Sequence, residues 1–313
     1  MAQCLAMFPG QGSQRVGMAR ELLEQFPYTR VYFEEAEDAS RIPIRKFCLD
    51  GPDEDLVLTA NQQPCLLTVS YAMWKVLREE AGFSPEWVAG HSLGEYSALV
   101  ASERLAFAHG VFLVRQRGLF MQEAVQQGGG AMLAVMGPNL DSLLPELCET
   151  ISRVAKAPVE IANYNSPAQW ILSGDKVAVD MVGLRCKEAK LRIAPLPVSA
   201  PFHSSLMAPA RHKMEPLLAA TTLAEGRGRI LANCTGKEAA PYTTDLLATQ
   251  IDGAVLWQQS MQAAFDAGVR RFVEVGPGKV LSGLATRCVG ASIEVITVGE
   301  SLCEAVRGSF ANS

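Results

Sequence analysis

The sequence predicts an α/β protein in which a mainly parallel sheet, flanked by helices, is interrupted by a smaller inserted unit. Short apolar runs alternate with segments of helical spacing along most of the chain. Glycine-rich loops follow two of these runs, at residues 9–14 and 276–278. After three consecutive glycines at residues 128–130, the pattern changes to β-α-β-β-α-β. We therefore expect two structural units, one of which is discontinuous in sequence.

The large unit is predicted to comprise residues 1–128 and 200–313. Its first strand is the apolar run Cys4–Phe8, and Trp87–Ala89 is a second, shorter strand. Val269–Val275 forms another strand near the C-terminal end. Helical spacing of apolar residues covers residues 16–26, 63–81, 95–101 and 107–125, and a further helix starts at residue 280.

The inserted unit is predicted to cover residues 129–199. Its strands are residues 131–136, 159–163, 169–173 and 193–198, with helices at 140–154 and 177–189 and a turn at 165–167. This order of elements is typical of a small ferredoxin-like subdomain.

Composition and charge exclude several classes of protein. The 313 residues carry a net charge of −5 and contain no basic run, which argues against a general nucleic-acid binder. The eight cysteines form no C-x-x-C pair and no cluster with histidine, so we expect neither a zinc site nor a disulfide framework. The chain shows no signal-peptide pattern and no 18-residue apolar run, and a cytoplasmic location is expected.

The segment Gly90-His-Ser-Leu-Gly94 is the candidate for a catalytic site. A Gly-x-Ser-x-Gly sequence between a strand and a helix is the nucleophile-elbow pattern of hydrolase-like α/β cores. The tight turn would project the Ser92 hydroxyl towards the N-terminus of the following helix, where free N–H groups favour developing negative charge. The alternative is a plain tight turn without catalytic function.

A serine nucleophile needs a base, and His203 is the candidate among four histidines. His203 lies in a loop between a strand and a helix, where catalytic groups are often placed. His91 is expected to point away from Ser92, His109 to be structural and His212 to be solvated. From the residues alone, a catalytic and a structural role for His203 both remain open.

Two further features need an interpretation. The loop at residues 9–14 lacks the third glycine of a dinucleotide-binding fingerprint, since Arg15 stands there, but its backbone is suited to approach an oxyanion. Arg117 lies in an apolar helix with Arg115, and the two face different directions. If Arg117 points inwards it needs an anion, which is either a substrate carboxylate or a structural salt-bridge partner.

Six ordered segments together resemble the malonyl-CoA:acyl carrier protein transacylase family, and the resemblance covers almost the whole chain. The matching segments are residues 8–14, 90–99, 117–124, 163–167, 197–203 and 274–281.

The resemblance implies a role for each of several residues. Ser92 would carry the acyl group as an ester, and His203 would act as general base and then as general acid. The main-chain carbonyl of Gln250 would orient the histidine in place of a carboxylate. The backbone N–H groups of Gln11 and Leu93 would form the oxyanion hole.

The same resemblance implies how the substrate is held. Arg117 would bind the free carboxylate of a malonyl group, and Asn163 would contribute to substrate binding. Leu93 and Phe202 match residues that accompany selectivity for malonyl over methylmalonyl groups. Phe202 departs from some dedicated fatty-acid members, which carry a small residue at this position.

The implied activity is ping-pong transfer of a malonyl group from malonyl-CoA to the phosphopantetheine thiol of an acyl carrier protein, in fatty-acid or polyketide synthesis. No metal and no cofactor are expected, since malonyl-CoA is a substrate, and a monomer is expected. Basic residues could steer an acidic carrier protein, namely Lys187, Lys190, Arg270 and Arg271.

Three other functions are compatible with parts of the sequence. An α/β-hydrolase-type esterase usually has its histidine near the chain end, whereas 110 residues follow His203. An acyl hydrolase that clears stalled carrier proteins would not need Arg117. A non-catalytic docking module would not need Ser92, His203 and Arg117 together.

Overall fold

The computed structural model describes residues 3–125, 128–198, 200–299 and 301–309. The strands of this part of the chain are β1 Gln3–Phe8, β2 Trp87–Gly90, β3 Gly130–Met136, β4 Val159–Ser166, β5 Gln169–Asp175, β6 Arg192–Pro195, β7 Arg229–Ala232, β8 Lys237–Glu238, β9 Val269–Glu274 and β10 Glu294–Thr297.

All helices but the last, which follows β10, lie between these strands. They are α1 Arg20–Gln25, α2 Arg30–Ser40, α3 Ile44–Leu49, α4 Asp53–Leu56, α5 Thr59–Ala81, α6 Leu93–Ala101, α7 Phe107–Glu123, α8 Leu140–Ala155, α9 Lys176–Glu188, α10 Ala208–Ala219, α11 Thr244–Asp252, α12 Trp257–Asp266, α13 Val280–Val289 and α14 Leu302–Glu304.

The larger sheet has the strand order β10-β9-β1-β2-β7-β8. All its pairings are parallel except that of the edge strand β8 with β7. Parallel strands end at the same edge of a sheet, so the loops after β1, β2 and β7 meet there. The predicted α/β fold with a mainly parallel sheet is confirmed.

The smaller sheet is antiparallel and has the order β4-β5-β3-β6. Counted along the inserted segment, the neighbours are the second, third, first and fourth strands, which is the ferredoxin-like order. The helices α8 and α9 cover one face of this sheet. The ferredoxin-like arrangement is therefore confirmed, whereas the exact boundaries of the two units stay a prediction.

The core is built on the alternation of side chains along strands. In β1, Cys4, Ala6 and Phe8 face the helices α5, α6 and α7, while Leu5 and Met7 face α12 and α13. Helices on both faces therefore bury the central strands of the parallel sheet, as parallel sheets require. This packing holds the loop ends of β1 and β2 in fixed positions beside each other.

Several predicted element boundaries were wrong by a few residues. The helix predicted at 16–26 begins at Arg20, because Gly17 has a positive φ of 84°. The strand predicted to end at residue 163 continues to Ser166, so only residues 167 and 168 form the turn predicted at 165–167. The strand predicted at 193–198 ends at Pro195, where its pairing with β3 stops, and residue 199 lies outside the described residues.

Two sequence expectations concern features of the whole described chain. Its helices include none that is both long and apolar enough to cross a membrane. The described residues hold no group of three or more His, Cys, Asp or Glu side chains that could bind a metal ion. All eight cysteines are free thiols.

Candidate active site

Ser92 lies at the sharp turn between β2 and α6, with φ 53° and ψ −111°. This strained conformation depends on the flanking glycines. A Cβ atom on Gly90 would lie 1.8 Å from the carbonyl oxygen of Gly94, and one on Gly94 would lie 2.0 Å from the carbonyl oxygen of Phe8. The backbone of the turn is therefore packed too closely for any side chain at either position. The predicted nucleophile elbow is present.

Asn233, which follows the neighbouring strand β7, stabilises this turn through two hydrogen bonds of its side-chain amide. Its Oδ1 atom accepts a hydrogen bond of 2.7 Å from the backbone N–H of Ser92. Its Nδ2 atom donates a hydrogen bond of 2.6 Å to the carbonyl oxygen of Gly90. The amide thus replaces the hydrogen bonds that the strained backbone cannot make within its own turn.

His203 meets the serine from the other side. Its Nε2 atom lies 2.7 Å from Ser92 Oγ. Its Nδ1 atom lies 2.8 Å from the carbonyl oxygen of Gln250 and 3.1 Å from that of Gly253. Carbonyl oxygens only accept, so Nδ1 must carry the proton and Nε2 is free to accept from the serine hydroxyl. This tautomer is the one a general base requires.

The protonation state of His203 follows from its surroundings. Burial, together with the positive charge of Arg117 and the proximity of His91, lowers the pKa of His203 from 6.5 to about 3. The two carbonyl oxygens at Nδ1 act in the opposite direction but do not offset burial. The ring is therefore neutral near pH 7 and able to take a proton.

Arg117 is fully buried beside the serine. Its Nη1 atom donates to Gln63 Oε1 at 2.7 Å, and its Nη2 atom donates to Ser92 Oγ at 3.2 Å and to Gln250 Oε1 at 2.9 Å. Its Nε atom has no partner among the described residues. No carboxylate of the described chain lies within salt-bridge distance of Arg117, so the structural salt bridge considered above is not found.

A buried carboxylate, Glu95, lies one helical turn beyond Ser92 and joins the same network. It accepts hydrogen bonds from the Tyr242 hydroxyl, from the backbone N–H of Asn233 and from the Gln250 amide. The pKa of Glu95 is raised from 4.5 to about 7, because the effect of burial exceeds the opposite effect of these donors and Arg117. The Nε2 atom of Gln250 also donates a hydrogen bond of 2.8 Å to the carbonyl oxygen of Ser92.

The oxyanion role that the resemblance implies for the backbone N–H groups of Leu93 and Gln11 stays a prediction, and both residues lie beside Ser92. Leu93 is the first residue of α6, and its N–H has no acceptor in a preceding turn of the helix. Gln11 follows β1, and its side chain donates to Gln62 Oε1 and, at 3.4 Å, to Thr59 Oγ1, which ties the loop to α5. The loop packs so closely on the elbow that a Cβ on Gly10 would lie 2.5 Å from the His91 carbonyl oxygen.

A cavity of about 230 Å³ opens onto Ser92 between the two sheets. The cavity is lined by Gln11, His203, Phe202 and Asn163. One of its walls is the face of the smaller sheet that α8 and α9 do not cover. That face contributes apolar side chains, including Met132, Ala134 and Ile171. The cavity therefore offers an apolar wall opposite a polar floor, as ligand sites commonly do.

The remaining histidines have other partners, as predicted. The Nε2 atom of His91 lies 2.8 Å from Asn165 Oδ1, although the residue lines the same cavity as Ser92. The Nε2 atom of His109 lies 2.9 Å from Thr221 Oγ1. His212 is exposed. Among the described residues, His203 is thus the one histidine that is hydrogen-bonded to the Ser92 hydroxyl.

Sequence reasoning missed four residues of this site, which are Gln63, Glu95, Asn233 and Tyr242. Each is a polar residue buried by the fold, and none carries a spacing that separates it from ordinary core or loop residues. Glu95 had one available signal. The residues after Ser92 form a mostly apolar helix, which indicates that the helix is buried. A glutamate in a buried helix needs a hydrogen-bond partner, so Glu95 could have been expected to join a polar network.

Comparisons with known proteins show the family of this chain. The protein family described as "Acyl transferase domain" matches residues 7–299. The malonyl CoA-acyl carrier protein transacylase of Bacillus subtilis is 38% identical over 304 residues, which is 96% of this chain and 94% of that protein. The protein of the same name from Salmonella typhimurium is 41% identical over 292 residues, which is 92% of this chain and 94% of that protein.

Solved structures show the same fold. The crystal structure of FabD from Acinetobacter baumannii superposes with a TM-score of 0.92 at 39% identity and covers 99% of this chain and 100% of its own. A malonyl-transacylase in complex with its type II PKS acyl-carrier protein gives a TM-score of 0.92 at 33% identity, with 100% of both chains covered. The family resemblance carried by the six sequence segments is confirmed, and the chain belongs to the acyl transferase domain family.

Proposed function

We propose that the protein transfers a malonyl group from malonyl-CoA to the phosphopantetheine thiol of an acyl carrier protein, through an ester on Ser92. One observation carries the proposal. The Ser92 hydroxyl lies 2.7 Å from a neutral imidazole and 3.2 Å from a guanidinium that no protein carboxylate of the described chain neutralises. A nucleophile, its base and a carboxylate-binding cation therefore meet at one oxygen atom. The names of the relatives support the same activity.

The first half-reaction forms the acyl-enzyme. His203 Nε2 takes the hydroxyl proton while Ser92 Oγ attacks the thioester carbon of malonyl-CoA. The backbone N–H groups of Leu93 and Gln11 stabilise the negative oxygen of the tetrahedral intermediate. The intermediate collapses with cleavage of the C–S bond, and the imidazolium returns its proton to the departing coenzyme A thiolate.

The second half-reaction uses the same groups in reverse. His203 accepts the proton of the phosphopantetheine thiol as the sulfur attacks the ester carbon. The C–O bond to Ser92 breaks, and the proton passes to the serine oxygen. Coenzyme A has left before the carrier protein reacts, so the kinetics are ping-pong.

Arg117 would select the acyl group. A malonyl carboxylate is the anion that this buried guanidinium lacks, and a planar fork of N–H donors binds a carboxylate well. Phe202 and Asn163 would bound the space for the acyl group, since both line the cavity at Ser92. An acetyl group has no carboxylate and gains nothing from Arg117.

The acceptor surface and setting are also proposals. Lys187 and Lys190 are exposed and would attract an acidic carrier protein. Arg270 instead donates to backbone carbonyl groups and Arg271 pairs with Glu294, so these two are less available. We also propose a monomer without a resident cofactor in the cytoplasm, and the free thiols suit a reducing compartment.

The test is a transfer assay followed by intact-mass spectrometry. Brief incubation with malonyl-CoA should add one malonyl group to the protein, and addition of a holo carrier protein should remove it and load the carrier. Absence of both the adduct and the loaded carrier would refute the proposal. Release of free malonate with no effect of the carrier would favour a hydrolase instead. Comparing carrier proteins of fatty-acid and polyketide synthesis in the same assay identifies the pathway.

A further inference from the structure

We propose that Glu95 is a positioning residue, which fixes the side-chain amide of Gln250 and thereby holds Arg117 ready for acyl groups that carry a carboxylate. This inference rests on the proposed function. It assigns a task to a buried carboxylate that does not touch the substrate and that the reaction steps above do not use.

Glu95 is fully buried and three donors surround it. Oε1 accepts from the Tyr242 hydroxyl at 2.7 Å and from the backbone N–H of Asn233 at 3.0 Å. Oε2 accepts from Gln250 Nε2 at 2.6 Å. All three partners donate, and an ionised carboxylate is the side chain that offers only acceptors. The backbone N–H of Asn233 can only donate, so Oε1 must accept, and an ionised carboxylate presents an acceptor at Oε2 as well.

Two acceptors, the Glu95 Oε2 atom and the Ser92 carbonyl oxygen, decide which way the Gln250 amide points. The NH2 end must face Glu95 Oε2, and it also reaches the Ser92 carbonyl oxygen at 2.8 Å. The carbonyl end must then face the opposite side, where it accepts from Arg117 Nη2 at 2.9 Å. Turning the amide over would place two acceptors against each other at Ser92 and two donors against each other at Arg117.

The interposed amide also keeps the two charges apart. Arg117 is held by Gln63 and Gln250, which are neutral, and not by Glu95 itself. A direct salt bridge would neutralise the guanidinium and compete with a substrate carboxylate. Gln250 instead donates to Glu95 and accepts from Arg117, so the guanidinium is held in place and its positive charge stays available for a substrate carboxylate.

Glu95→Gln is the sharpest test, because it keeps the shape and removes one acceptor. The new NH2 group must face either Gln250 Nε2 or the Tyr242 and Asn233 donors. Relief of that clash turns the Gln250 amide over or displaces it, and Arg117 loses its second anchor. The main-chain carbonyl of Gln250, which binds His203, is not altered by the substitution.

Glu274→Gln supplies a matched control. Glu274 is also a fully buried glutamate. It is the last residue of β9 and accepts from the backbone N–H groups of Leu281 and Ser282. The same chemical change there removes a buried carboxylate without touching Gln250 or Arg117. Any general effect of losing such a group on folding should appear in both variants.

The experiment compares acylation of Ser92 by malonyl-CoA and by acetyl-CoA in the wild type and in both variants, with thermal melting of each protein. Glu95→Gln should lower kcat/KM for malonyl-CoA about tenfold, the size expected for a lost hydrogen bond to a charged group. It should change kcat/KM for acetyl-CoA less than about threefold, so that the malonyl preference narrows. Glu274→Gln should keep the wild-type ratio of the two substrates.

Equal losses for both acyl groups in Glu95→Gln, or an unchanged ratio, would overturn the inference and leave Glu95 a structural residue. If Glu95→Gln does not fold, Glu95→Asp decides the matter, since it keeps the charge but shortens the reach to Gln250 and should narrow the ratio as well. A wild-type protein that forms no malonyl adduct would instead refute the proposed function. The two failures are therefore distinguishable.

Discussion

The Nε2 atom of His203 lies 2.7 Å from the Oγ atom of Ser92, although 111 residues separate the two along the chain. The smaller sheet is inserted between them, and its chain returns beside the turn from which it departed. Because Nδ1 of the same ring faces two main-chain carbonyl oxygens, the imidazole is oriented without a carboxylate. The serine and histidine thus form a dyad.

Replacing Ser92 with alanine should abolish the malonyl adduct, because the Ser92 hydroxyl is the group within hydrogen-bond distance of His203 Nε2. Intact-mass spectrometry after incubation with malonyl-CoA measures this directly. Ser97→Ala is the matched control, since Ser97 lies in α6, the helix that follows Ser92, and its hydroxyl is buried without a partner in the described structure. An adduct on the Ser92→Ala protein would mean that another residue is acylated.

Replacing His203 with alanine should slow acylation by about 10²- to 10⁴-fold, the range typical of a general base. The rate of adduct formation in rapid-quench samples gives the comparison. The exposed His212 provides the control, and His212→Ala should retain the wild-type rate. A His203→Ala protein that acylates at more than a tenth of the wild-type rate would exclude the histidine as base.

Replacing Arg117 with alanine should lower kcat/KM for malonyl-CoA about 100-fold, because a buried charge-assisted contact to the substrate carboxylate is lost. Acetyl-CoA should be affected far less, and competition between the two donors measures the ratio. Arg115→Ala is the control, because Arg115 lies on the same helix but donates to Asn61. An unchanged ratio would remove Arg117 from the acyl-binding site.

His203 should also make the protein less stable in mild acid. Its pKa is about 3 when folded and 6.5 in the reference state, so between these values the unfolded chain binds a proton that the folded chain does not. The free energy of unfolding therefore falls as the pH drops through 6.5, by roughly 1 kcal/mol from this group between pH 7.5 and 5.5.

Urea denaturation at the two pH values measures this effect. His203→Gln should show a smaller loss of stability in acid by about that amount, since glutamine does not titrate. His91, whose pKa is also lowered by burial, remains in both proteins and contributes equally. The same acid sensitivity in both proteins would show that His203 can be protonated without unfolding.

Gly94→Ala should destabilise the fold by at least about 2 kcal/mol, because its Cβ would lie 2.0 Å from the carbonyl oxygen of Phe8 and force β1 and the elbow apart. Gly283→Ala is the opposite case. Gly283 is exposed in α13, and a Cβ there would meet no atom within 4 Å. It should stabilise the protein by about 0.5–1 kcal/mol through helix propensity. Thermal melting of both variants measures the contrast.

The local parts of this site were predictable because their signals are short in sequence. Gly90 and Gly94 flank Ser92 within five residues, and the strand before and the helix after them have recognisable apolar patterns. The same holds for the glycine-rich loop that carries Gln11. The local sequence of these segments predicts their backbone geometry, since few sequences tolerate such turns.

The partners of Ser92 were not predictable from pattern or spacing alone. His203 was open between two roles until the family resemblance was considered, and Arg117 was open between a substrate and a salt bridge. A loop histidine and a buried arginine occur for many reasons. Only the distances to Ser92 Oγ, and the lack of a described carboxylate within salt-bridge distance of Arg117, separate these roles.

The sequence by itself determined the α/β class, the ferredoxin-like insertion and the serine elbow. Each of these depends on the spacing of apolar residues or on the positions of glycines within a short segment. The tertiary structure decided which polar groups face one another, as in the contacts of Gln250 with Glu95, Arg117 and the Ser92 carbonyl. Those contacts span up to 158 residues. Their formation depends on how strands, helices and loops pack in three dimensions, which no local pattern encodes.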